Sequence, residues 1–197
     1  MIKALLILKK HLGFSKAVSL GLEVQKQVKA GEPFKDFDPP RDEREKQARE
    51  QAAPAFVLYK LLKAEFSQEK AYQITEEVVK DAAVSTLKKS LPSISPQWYK
   101  NLDNKKAELK KAIENSPNTK IGEMEINEDS FSFQVARCDF VEFAKKLNMP
   151  EVAPVFCSGD GLFFEKFTPE IKFERPQKLS DGGEYCDFRF QLKNDKI

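Results

Sequence analysis

Histidine is almost missing from this chain: one of its 197 residues, His11, is histidine. A catalytic Cys–His pair would have to draw on that single imidazole, far in sequence from every cysteine, which makes such a dyad the least favoured hydrolytic scheme. Cysteine is scarce too. There are three, Cys138, Cys157 and Cys186, with no CxxC and no close pair. An odd number of separated thiols fits free thiols in a reducing, cytoplasmic setting better than a disulfide framework. Their spacing matches no zinc-finger pattern either. Long apolar runs are lacking at the N-terminus, where Ala4 to Leu8 gives way at once to Lys9-Lys10-His11. That run is too short for a signal core or a bilayer span, so no membrane role is expected. Charge of one sign is lacking as well, with 33 basic residues against 31 acidic and a net charge of +2. Lysine pairs such as Lys88-Lys89 and Lys110-Lys111 read as solvated helix faces, and no nucleic-acid partner is expected.

What is abundant is phenylalanine, 16 residues against one tryptophan and four tyrosines, within 41% hydrophobic and 32% charged residues. That is the balance of a globular protein with an apolar core or pocket lined by rings without polar handles. The length suffices for one large domain or two small ones.

Apolar positions recur at helical spacing from Ile2 to Lys29, with a break expected near Gly13. Gly31-Glu32-Pro33 and Asp38-Pro39-Pro40 mark a loop. A helix is expected from Asp42 to Ala64 with a possible kink at Pro54, another starting after Ser67, and a fourth from Pro96 to Asn115. The period then changes to two. Glu123 to Asn127 and Ser130 to Val135 read as a hairpin turning at Glu128-Asp129. Cys138 to Leu147 reads as helix, Pro150 to Pro154 as a turn or short helical link, and Asp160 to Phe167 as helix or strand. Ile171 to Arg175 and Cys186 to Leu192 read as two strands joined through a tight turn at Asp181-Gly182-Gly183. The fold class is α+β: a helical N-terminal half packed on a small antiparallel sheet with helices in the C-terminal half. The helical region spans 1–120 and the α+β region with the cysteine motifs 121–197, together expected to form one compact domain.

The cysteines sit in polar or turn-rich surroundings confined to the last third of the chain. Arg137-Cys138, Met149-Pro150-Glu151-Val152-Ala153-Pro154 leading to Cys157-Ser158-Gly159-Asp160, Phe173-Glu174-Arg175, and Gly182-Gly183-Glu184-Tyr185-Cys186-Asp187-Phe188-Arg189-Phe190 follow one another in order. In that order they resemble the L-2-amino-thiazoline-4-carboxylic acid hydrolase family, over roughly residues 130–192. The resemblance implies a hydrolase that opens a C=N or C–N bond of a small carboxylated heterocycle, with a small molecule as substrate.

Such a reaction needs a nucleophile on the C=N carbon, a proton donor for the leaving atom and an anchor for the carboxylate. Cys157, in an expected Ser-Gly-Asp-Gly turn, and Cys138, beside Arg137 at an expected helix start, are the candidate nucleophiles. Asp160 is the candidate base or water-orienting acid. Arg175 is the natural carboxylate clamp, with Arg189 as backup, and Arg137, Cys186 and Asp187 complete the candidate binding set. A pocket of a few hundred cubic ångströms holding Cys157, Asp160 and Arg175 is expected. The bland reading stands beside each: cysteine often fills core, Asp160 is equally suited to capping a helix, and Arg175 to pairing across the sheet. No residue is assigned to a metal, since three thiolates without a close pair make a poor zinc set, and no cofactor is identified. The alternative function is a non-enzymatic sensor of a small ligand or metal, and the N-terminal helices offer a surface for a homo-oligomer.

Overall fold

The computed structural model describes residues 2–90, 107–108, 110–111 and 119–193. Most of the fourth expected helix, Pro96 to Asn115, lies outside the described residues. Among those described, six α-helices and a four-stranded antiparallel sheet give an α+β fold. The chain divides into two compact units, residues 1–83 with 140–159 and residues 84–139 with 160–197. No helix among the described residues is long and apolar enough to cross a membrane.

The first unit is helical. Helices α1 (Ile2–Leu12) and α2 (Phe14–Lys29) are separated at Gly13, whose φ of 80° lies in the left-handed region that a residue without Cβ adopts freely. Helix α3 (Glu43–Lys63) begins at Asp42, whose carboxylate accepts the Glu45 backbone N–H at 2.8 Å. Glu45 reaches back to accept the Arg41 backbone N–H at 3.1 Å, so the two acids satisfy each other's end of the helix start. Pro54 lies inside α3, where Ala52, Ala53, Phe56, Val57, Tyr59 and Leu62 are buried. Helix α4 (Gln68–Ser90) is capped by Ser67, whose hydroxyl accepts the Lys70 N–H. Helix α5 (Asp139–Lys146) and a 3-10 helix (Pro150–Cys157) return to this unit, with Phe156 packed on Phe56 and Phe140. His11 Nε2 donates to the Glu77 carboxylate at 2.7 Å.

The second unit is built on the sheet, ordered β1 (Thr119–Ile126), β2 (Ser130–Cys138), β4 (Cys186–Leu192), β3 (Ile171–Glu174). The register sets Phe131 opposite Phe190, Phe133 opposite Phe188, and Phe173 opposite Phe190. Alternation puts all five rings on one face, and the first two pairs stack at 4.2 and 4.7 Å between ring centres. Helix α6 (Ser158–Phe167) lays Phe163 and Phe164 against that face, joined by Val84 and Leu87 from the end of α4. Phe131, Phe133, Phe163, Phe164, Phe173, Phe188 and Phe190 thus form one core in this unit.

Two local expectations need correction. Cys138 does not open a helix; it is the last residue of β2, held in the strand by its pairing with Thr119. Ser158 to Gly161 is not a turn but the first turn of α6, which follows directly on the 3-10 helix ending at Cys157. The Ser158 hydroxyl donates to the Val155 carbonyl at 2.7 Å and bridges the junction, which outweighs the poor helix propensity of Gly159 and Gly161.

Candidate functional site

The second unit brings together three of the sequence-selected residues, Asp160, Arg175 and Cys186. Asp160 stands in the first turn of α6, and Arg175 is the residue after β3. Arg175 Nη1 donates to Asp160 Oδ2 at 2.5 Å, with the arginine side chain 9% exposed and the aspartate 21%. The guanidinium carbon lies 4.9 Å from the centre of the Phe188 ring and 5.7 Å from that of Phe173, so the cation is seated at the end of the phenylalanine face. Withdrawal from water pushes the Asp160 carboxyl above its usual range, although the Arg175 charge and hydrogen bond oppose this. The acid therefore holds its proton to a higher pH than an exposed aspartate.

Cys186 opens β4 on the same face as Phe188 and is buried. Burial raises its thiol pKa, against the pull of the Leu179 N–H donated to Sγ at 3.3 Å and of Arg175 and Lys178. A buried thiol held in its neutral form is a wall of the site and a poor nucleophile.

The segment between β3 and β4 encloses this corner. Gly182, with φ of 89°, closes a short 3-10 turn (Leu179–Asp181). Gly183 is confined in another way: a Cβ there would stand 2.5 Å from Gln177 Cγ and 2.9 Å from the Lys178 carbonyl oxygen. Gln177 in turn holds β4, its carbonyl accepting the Asp187 N–H at 3.0 Å and its side-chain amide donating to the Tyr185 carbonyl at 3.3 Å. Lys178 and Asp181 pair at 2.8 Å, and both act electrostatically in this corner, Lys178 on Cys186 and Arg175 on Asp181. Sequence reasoning missed Lys178 and Asp181; their three-residue spacing is the only signal they carry.

The other sequence-selected residues have surroundings of their own. Asp187 follows Cys186 and so faces the opposite side of the sheet, where it accepts from Arg189 Nη2 at 2.6 Å. Arg137 pairs with the buried Asp139 at 3.3 Å, and Cys138 closes β2 half-buried. Cys157, also half-buried, belongs to the first unit. The groove found among the described residues is in the first unit and is lined by none of Cys157, Asp160 and Arg175. Among the described residues no group of three or more His, Cys, Asp or Glu side chains could hold a metal ion.

An antiparallel sheet whose ring-covered face ends in a mostly buried arginine side chain paired with an aspartate beside a buried thiol belongs to an α+β protein. A family model described as L-2-amino-thiazoline-4-carboxylic acid hydrolase matches residues 46–190, and the chain belongs to that family. The matched span includes Asp160, Arg175 and Cys186. No curated protein and no solved structure matches the chain.

Proposed function

We propose that the protein is a hydrolase that opens a C=N or C–N bond of a small carboxylated heterocycle of the thiazoline type, at the corner formed by Asp160, Arg175 and Cys186. The observation that carries the reading is the ion pair between Asp160 and Arg175 at the end of the phenylalanine face, in a chain of this family. Arg175 anchors the substrate carboxylate, for which a guanidinium with five N–H donors is suited even with one carboxylate already in place. Asp160 takes a proton from the water whose oxygen bonds to the C=N carbon and passes it to the imine nitrogen, then takes the proton of the new hydroxyl as the C=O forms and gives it to the ring heteroatom as its bond to that carbon breaks. A carboxyl with a raised pKa serves both halves of that transfer. Cys186 and the rings of Phe188 and Phe173 exclude bulk water around the reacting carbon.

Turnover of L-2-amino-thiazoline-4-carboxylate is the test. Asp160→Asn should lower kcat by about 10²- to 10⁴-fold, the usual weight of a general base, and Arg175→Lys should raise KM more than it lowers kcat. Wild-type turnover in Asp160→Asn would overturn the reading. Cys157→Ala and Cys138→Ala should retain activity if water attacks. A loss in either equal to that of Asp160→Asn would assign the attack to that thiol.

A further inference from the structure

A groove of about 600 Å³ in the first unit lies between the loop after α2, the last turn of α3 and the residues that follow α5. Its apolar surface comes from Pro33, Phe37, Ala64, Leu147 and Met149, and its charged surface from Lys60, Lys63 and Lys146 against Glu32 and Asp36. These charges are not equivalent. Glu32 is held by Lys35 at 2.6 Å, and Lys35 also lies in the field of Asp36. Lys63 is held by Glu151 at 3.0 Å, and Glu151 also accepts the buried Tyr59 hydroxyl at 2.9 Å. Lys60 and Lys146 have no carboxylate within ion-pair distance among the described residues, although Lys60 acts on Glu32 through space. The Lys146 ammonium lies 5.9 Å from the centre of the Phe37 ring, where apolar and cationic surfaces meet. Glu32 is thus engaged with Lys35, while two exposed ammonium groups, those of Lys60 and Lys146, remain on the rim.

We propose that this groove binds a small organic anion with an apolar body, such as an aryl carboxylate or aryl phosphate. The body rests on Phe37, Leu147 and Met149, and the anionic group lies between Lys60 and Lys146. The wall contributed by Glu32, Pro33, Asp36 and Phe37 precedes residue 46, where the family match begins, so this site goes beyond what defines the family. It does not rest on the hydrolase reading and is independent of Asp160 and Arg175.

The probes are 1-naphthoate, 1-naphthyl phosphate and the uncharged 1-naphthamide, titrated into the full chain with backbone amide NMR shifts as readout. At least one of the anions should saturate with shifts centred on Phe37, Leu147 and Met149, and the amide should bind about tenfold or more weakly, a difference of ~1.4 kcal/mol. Lys60→Glu with Lys146→Glu, both exposed positions, should weaken the anion by a similar factor or more. Equal binding of anion and amide to the unaltered protein would overturn the proposal. So would the absence of saturable shifts at those three residues, or unchanged anion affinity in a folded double variant.

Discussion

Each unit of this protein has a carboxylate withdrawn from water and set against arginine, yet the two pKa values move in opposite directions. In the first unit burial would raise Glu45, but hydrogen bonds from the Arg41 and Arg49 side chains and the Arg41 backbone overcome it and hold the carboxyl down to about 2. Arg49 contributes Nε at 3.0 Å and Nη2 at 2.5 Å, and its guanidinium is itself seated over Phe34 and Phe37. In the second unit Asp160 has one guanidinium, and withdrawal from water prevails, so its carboxyl moves up. The number of donors on the carboxylate decides the sign. A carboxylate saturated with donors is fixed in one charge state and ties a fold together. One with a single donor, withdrawn from water, keeps its proton to higher pH than an exposed carboxyl.

That contrast is testable through the pH dependence of stability. Glu45 titrates below its ordinary 4.5 in the folded protein, so its contribution is fully present above that value and is lost as pH falls towards about 2. A displacement of this size is worth about 3 kcal/mol, and Glu45 is only 4% exposed, so little is lost to solvent screening. Glu45→Gln should therefore be less stable than wild type by about 3 kcal/mol at neutral pH, the gap closing on acidification. Asp160 has the reverse sign: its raised folded pKa favours folding below the unfolded value of 3.8, and that advantage is lost as pH rises through the folded pKa. The gap between wild type and Asp160→Asn should shrink with rising pH where the Glu45 gap grows. Urea unfolding from pH 3 to 7 measures both, and parallel pH curves for the two variants would remove the distinction.

The segment joining β3 to β4 sharpens the comparison, because it shapes the Asp160 corner and has no counterpart around Glu45. A methyl at Gly183 would collide with Gln177 Cγ and the Lys178 carbonyl, and the latter is backbone that cannot rotate away. Gly183→Ala should cost about 2 kcal/mol, the scale of an overpacked site. It should also disturb the Leu179 N–H bond to Cys186 and so lower kcat/KM for the thiazoline. Gly182→Ala, strained by its φ of 89° but open to space, should lose stability without a comparable loss of turnover. Equal kinetic losses in both would show that the close approach at Gly183 has no bearing on the corner.

How much of this was legible in the sequence follows from the range of the interactions. The break at Gly13, the helix beginning at about Asp42, the helix start after Ser67 and the alternation of β2 and β4 are set by residues within a few positions of one another, and the structure has them. The end of β2 was not legible, because Cys138 is kept in the strand by pairing with Thr119, a residue before the hairpin. Nor was the helical state of Ser158 to Gly161, whose glycines argue for a turn until the preceding 3-10 helix is in place. Asp160 and Arg175 could be chosen singly for their chemistry. Their direct pairing depends on how β3 and α6 pack.

The smallest effect belongs to Tyr59 in the first unit, a third kind of buried polar group. It has no exposed surface, and burial first and Glu151 second push its hydroxyl pKa upward, so it is a donor throughout the accessible pH range. Glu151 keeps Lys63 when the hydroxyl is removed, and phenylalanine fills the same space, so Tyr59→Phe leaves no buried charge without a partner. The loss should be about 1 kcal/mol, that of one hydrogen bond, seen as a fall in Tm of about 3 °C for a chain of this size. It should not depend on pH between 6 and 9, in contrast to Glu45→Gln at acid pH. Because the hydroxyl and Lys63 share one Glu151 oxygen, Tyr59→Phe should also bring the Lys63–Glu151 pair closer and leave 1-naphthoate affinity unchanged. A weakened affinity would mean that the hydroxyl, and not Lys60 and Lys146, sets the charge balance of the groove.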